Sequence, residues 1–212
     1  MKDIEFAALL CSRLCHDLIS PVGAIANGIE ILADEDDEMM RTEVLKLLDQ
    51  SASQTSNRLQ FFRLAFGAAG GFGEKVPLDE AKKAARALFA ASKVEVDWKS
   101  QVGVMNKDAI KLMLNMVLLA GESLIRGGQM TVEIEDLTES ILINITVTGD
   151  KVIFQDKIND ALLEDVDDQD IEPKTAPAFL ARNVAKKIGA NISKTSHNEQ
   201  SFSLSASYPV NR

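Results

Sequence analysis

Cysteine, basic charge and long apolar runs are all scarce in this chain, and each shortage removes a class of protein. Cysteine occurs only twice in 212 residues. Cys11 and Cys15 lie four apart on what reads as one helix turn, which is neither a secreted disulfide framework nor metal-ligand spacing. Free thiols, buried or partly buried, are expected there. No unbroken apolar run approaches the roughly 18–20 residues that cross a bilayer. The start, with Lys2, Asp3 and Glu5, lacks a basic stretch leading into an apolar one, so the expected location is the cytoplasm. Lys and Arg number 23 against 32 Asp and Glu, a net charge of −9. That balance argues against a broad basic surface for nucleic acid or anionic membranes, and the expected partners are proteins.

What is present begins with helical periodicity. Ile4, Ala7, Cys11, Leu14, Leu18, Val22, Ile25, Ile29 and Leu32 recur at spacings of three and four, one apolar or small-residue seam along a helix over about 3–33. An acidic cluster, Asp34 to Glu38, breaks it. A second seam follows: Met40, Val44, Leu47, Ser51, Thr55, Leu59, Phe62 and Phe66. Two long helices joined by a short turn leave one flank of each seam uncovered. Pairing two such hairpins into a four-helix bundle is the common remedy, so a homodimer is expected. Pro21, inside the first helix, removes one backbone hydrogen bond and is expected to distort the helix there.

His16 lies two residues from both Leu14 and Leu18. At about 100° per residue it points away from the seam, with Ser12, Arg13, Ser20, Gly23 and Asn27 on the same outward side. A histidine beside an aspartate on an exposed helix face is the candidate for chemistry. The other histidine, His197, falls in a turn between two strands and reads as an exposed residue without function.

The run from Gly67 to Gly73 reads as a linker, and the length suits two domains, 1–73 and 74–212. Beyond it the element types alternate. Helices are expected at 78–92, 107–125, 154–163 and 176–188, with strands at 94–98, 130–135, 140–148, 191–195 and 202–208. Helices and consecutive strands in this order suggest an α/β sandwich with a mixed sheet, making the whole chain α+β. The acidic stretch Glu164 to Asp170 reads as a solvated loop.

The string His16-Asp17-Leu18-Ile19-Ser20-Pro21-Val22, in a helical hairpin followed by such a domain, resembles the core of sensor histidine kinases, with Ile19 where kinases usually carry arginine. In that family the hairpin dimerises and bears the phosphorylated histidine, and the second domain binds ATP. The nucleotide boxes are degraded here. Asn115 matches the first asparagine of the long helix, but Leu119 stands where the second would hold Mg²⁺, which needs oxygen donors. The adenine box is replaced by Thr148-Gly149-Asp150-Lys151-Val152. The glycine loop that would approach phosphates is replaced by Thr175-Ala176-Pro177, which offers neither the space nor the N–H.

A kinase-like hairpin on a degenerate nucleotide domain resembles the ChpT family of alphaproteobacterial histidine phosphotransferases. Supporting stretches are Ser12 to Pro21, Leu59 to Gly67, Asp97-Trp98 and Met105-Asn106-Lys107. The resemblance implies His16 as phosphoacceptor. Asp17 beside it can accept a hydrogen bond and orient the ring, and Ser20, one turn on, either contacts the phosphoryl group or only eases the helix toward Pro21. Receiver docking is expected on the outer face at Ser12, Arg13, Gly23 and Asn27, with Gln54, Thr55 and Arg58 placed beside His16 by counting back from the turn. Phosphate would come from a receiver of a CckA-type hybrid kinase and pass to regulators of the CtrA and CpdR type. No cofactor would be bound by this chain, Mg²⁺ belonging to the partner receiver. Two alternatives remain at this point: an ATP-dependent histidine kinase with an eccentric site, and a phosphorylation-independent scaffold or inhibitor that binds receiver or kinase domains.

Overall fold

The computed structural model describes residues 3–67 and 75–210. Of the expected linker from Gly67 to Gly73, residues 68–73 lie outside the described residues, as does the 73/74 boundary.

Helices α1 (Asp3–Asp34) and α2 (Glu38–Ala65) form an antiparallel hairpin. The turn is closed by chemistry visible in the acidic cluster. The Asp37 carboxylate accepts from the backbone N–H groups of Met39 and Met40 at 2.8 and 2.9 Å, an N-cap that satisfies orphan donors of α2. Arg41 donates to the carbonyls of Leu32 (3.0 Å) and Glu35 (2.7 Å) at the end of α1. Toward the turn end of the hairpin Gly28 is buried, and a Cβ there would stand 2.8 Å from Leu48 Cδ2, so the missing side chain sets how closely the helices approach. Pro21 and Ser51 are buried with it.

Helix α1 continues unbroken through Pro21. Proline cannot donate to the carbonyl four residues back, that of Asp17. Arg58 of α2 takes over that carbonyl, its Nη1 donating at 2.9 Å.

The second part contains β1 (Lys75–Pro77), α3 (Leu78–Phe89), β2 (Val94–Ser100), β3 (Val104–Asn106), α4 (Lys107–Glu122), β4 (Gly128–Asp136), β5 (Ser140–Thr148), α5 (Asp156–Leu163), α6 (Ala176–Ile188), β6 (Asn191–Asn198) and β7 (Ser201–Pro209). Strands β2-β4-β5-β7-β6 form a mixed sheet in that order, with β2 and β4 parallel and the other pairs antiparallel. β1 and β3 pair separately. Strict alternation along β5 buries Ile141, Ile143, Ile145 and Val147. They join Val132, Ile134, Leu204 and Ala206 on the face covered by helices, while Thr146, Ser203, Ser205 and Asn144 hydrogen-bond across the other face. One packed and one solvated face is the ordinary economy of a largely antiparallel sheet. Helix α4 is buried almost throughout because it lies between the sheet and the hairpin base.

One core joins the two parts. Phe61, Phe62, Leu64 and Ala65 at the end of α2 belong to the same cluster as α3, α4 and the sheet. Asn115, fully buried on α4, donates Nδ2 to the carbonyl of Ala65 at 2.9 Å. At the same open end of the hairpin, Phe6 of α1 meets Phe179 of α6, ring centroids 5.2 Å apart.

Three expectations are corrected. Cys11 and Cys15 are exposed rather than buried. α1, by length and composition alone, is apolar enough to cross a membrane, although charged residues interrupt its apolar stretch and most of it is exposed. His197 lies on β6, not in the turn, with Nε2 2.8 Å from the Ser203 hydroxyl.

Candidate functional site

His16 stands on the outward side of α1 with its side chain 84 % exposed. Its Nδ1 lies 3.2 Å from Oδ1 of Asp17. A carboxylate can only accept, so in the neutral ring Nδ1 carries the proton and Nε2 keeps its lone pair. The Asp17 carboxylate, 11 % exposed, is shared. Its Oδ2 accepts from Arg13 Nε at 3.0 Å, and Arg13 Nη2 donates in turn to Oε1 of Glu122, the last residue of α4. Burial alone would lower the Arg13 pKa, but the two carboxylates outweigh it and hold the guanidinium above its ordinary value. For Glu122 burial dominates and pushes the carboxyl up, with Arg13 opposing.

The expected docking residues separate on inspection. Ser12, Ser20 and Asn27 are exposed on α1 near His16, and Gly23 opens onto free space, with nothing within 4 Å of where a Cβ would sit. Gln54, Thr55 and Arg58 are half-buried on α2. Thr55 spends its hydroxyl on the Ser51 carbonyl at 2.8 Å, and Arg58 is committed to Asp17. Arg13 does not belong to an outer docking face: it is 6 % exposed. Its angular position on α1 matches that of His16, but the second domain folds back over that flank and Glu122 meets it there. Glu122 escaped the sequence reading. Its only signal was a carboxylate closing a strongly apolar helix.

Between His16 and the second domain lies a cleft of about 640 Å³, with Ser12, Arg13 and Asp17 on one wall and Leu119, Phe154 and Ile158 on the other. Leu119, Asn115, Thr175 and Pro177 stand at the positions that the kinase resemblance assigns to the nucleotide boxes. Leu119 is an apolar wall without an oxygen donor. Asn115 turns its amide nitrogen to Ala65 and Lys111, bonding their carbonyls. Thr175 bonds the backbone of Glu172, and Pro177 removes an N–H from the first turn of α6.

Comparison with known proteins agrees with this geometry. Residues 78–200 match the family described as histidine phosphotransferase C-terminal domain. The chain is 35% identical over 197 residues to protein phosphotransferase ChpT of Brucella abortus (strain 2308), covering 91% of each. A solved bacterial phosphotransferase superposes with a TM-score of 0.87 at 31% identity, over 97% of both chains. The Acinetobacter baumannii histidine kinase AdeS shares the fold, with a TM-score of 0.50 at 9% identity over 93% of this chain and 98% of that one. The chain belongs to the histidine phosphotransferase family.

Proposed function

We propose that this chain is the histidine phosphotransferase of a His–Asp phosphorelay, with His16 as its phosphoacceptor. The observation that carries the reading is the exposed His16 ring whose Nδ1 is engaged by Asp17, leaving Nε2 free. Nε2 attacks the phosphorus of an aspartyl phosphate on a receiver. The N–P bond forms as the P–O bond breaks, and the receiver carboxylate leaves. The same steps in reverse charge the next receiver. Such a transfer depends on positioning and charge placement rather than on covalent help from the protein. Ser20, one turn after His16 and exposed, is placed to contact the phosphoryl oxygens.

The donor in this reading is the receiver of a CckA-type hybrid kinase, and the acceptors are regulators of the CtrA and CpdR type. The 35% identity to a ChpT phosphotransferase supports that assignment. Mg²⁺ resides in the partner receiver. This chain binds no ATP, as the loss of oxygen and N–H donors at Leu119 and Pro177 supports. It works in the cytoplasm as a homodimer, two hairpins forming a four-helix bundle. Supporting the dimer are Ile4, Ile19, Ile29, Met40 and Leu45, all at least half exposed on the hairpin, a concentration of apolar surface that marks an interaction site.

The test is transfer of label from a phosphorylated hybrid-kinase receiver, without nucleotide, to wild type and to His16→Ala. Acid-labile label on wild type alone is expected. Absence of label on both, with receiver binding intact, would favour a scaffold.

A further inference from the structure

Resting on the phosphotransfer reading, we propose that Arg13 and Glu122 are positioning residues. Through them the second domain holds Asp17, and through Asp17 the His16 ring, in the orientation that presents Nε2 to the phosphoryl group. The contacts form an unbroken chain. Asp17 divides its carboxylate, Oδ1 toward His16 Nδ1 at 3.2 Å and Oδ2 toward Arg13 Nε at 3.0 Å. Arg13 is buried, and its other arm ends on Glu122 of α4. An exposed Arg–Asp pair four residues apart on one helix would leave both side chains free to rotate. A planar guanidinium held between two carboxylates does not.

Glu122 has no evident value to α4 itself. A carboxylate in the last turn opposes the helix dipole, and its partial burial disfavours the charged form. Its partner is on another element, 109 residues away in sequence. Asp17 is meanwhile fixed at the main chain, because Pro21 leaves its carbonyl free and Arg58 occupies it. The residue that touches the histidine is thus held from α2 by its backbone and from α4 by its side chain. This gives the degenerate domain a task in the transfer.

A plain inter-helix staple would contribute to stability and nothing more, so the test reads the ring. ¹⁵N NMR reports the His16 tautomer without any donor. Phosphorylation by phosphoramidate, with ammonia as leaving group, reads reactivity without receiver docking. Wild type is expected in the Nδ1–H form. Glu122→Leu, and independently Arg13→Lys, which keeps the charge but cannot bridge two carboxylates, are expected to shift the ring toward Nε2–H. Each is expected to slow phosphorylation about tenfold, in the range that small misplacements produce. Glu122→Gln keeps an acceptor for Arg13 and recovers most of the rate lost in Glu122→Leu. Unchanged tautomer and rate in folded Glu122→Leu and Arg13→Lys, or a lowered melting temperature alone, would overturn the proposal while leaving His16 as phosphoacceptor. A wild type in the Nδ1–H form that takes no phosphoryl group from phosphoramidate or a receiver would sink the phosphotransfer reading instead.

Discussion

Asp17 is the residue on which the site turns, since it touches the His16 ring, Arg13 and Arg58. Asp17→Asn keeps the shape but can turn its NH₂ toward Nδ1, which favours the unreactive tautomer. The expected outcome is a loss on the order of 10²-fold in phosphoryl acceptance, the scale of a misassigned proton-handling group, with the fold retained by circular dichroism. A second prediction concerns a residue remote from the chemistry. Tyr208 is 6 % exposed, its hydroxyl has no hydrogen-bond partner among the described residues, and burial, with a smaller effect from Asp136, pushes its pKa to about 12. It is the chain's one tyrosine, so phenolate absorbance reads it directly. Because the folded pKa lies above the unfolded one, near 10, the phenol favours the folded state less as pH rises from about 10. Stability is expected to fall over that window, and Tyr208→Phe to remove the fall. His16 and Asp17 were legible from the sequence because a helical wheel needs only the chain itself. The burial of Arg13 was not, because what covers it comes from α4 rather than from its own hairpin.

The helices and most strands could be read from period alone. The 140–148 strand and the 176–188 helix match their expected bounds, since clean alternation and a Pro start with a Gly stop mark them; Gly189 closes α6 at φ 69°. The pair β1 and β3 was missed because three residues carry no period. The structure also separates glycines that look alike in sequence. Gly28 faces Leu48 and Val44, whereas Gly23 faces open space. Gly28→Leu is therefore expected to push α1 from α2 and cost about 1–3 kcal/mol in chemical denaturation, the usual range for overpacking. Gly23→Ala is expected to stabilise by up to about 1 kcal/mol through helix propensity. If receivers dock over Gly23, a larger residue such as Gly23→Gln will slow transfer from a receiver while leaving phosphoramidate labelling unchanged.

For the molecule as a whole, the single chain leaves an apolar stripe uncovered while its two parts share one core. The sequence pattern indicated the stripe but not the shared core, which depends on Phe61 and Phe62 entering the second domain. In the proposed dimer a second copy covers the stripe. Sedimentation is expected to show a dimer for the wild type and a folded monomer for Ile29→Glu combined with Leu45→Glu; a monomeric wild type would remove the four-helix bundle from the account. The central claim is that a phosphoryl group passes through His16 from one receiver to another. The most direct measurement mixes a labelled donor receiver with an unlabelled acceptor receiver and a catalytic amount of this protein, without nucleotide. The account predicts label on the acceptor with wild type and none above background with His16→Ala. Equal transfer with both proteins, or none with wild type, would contradict it.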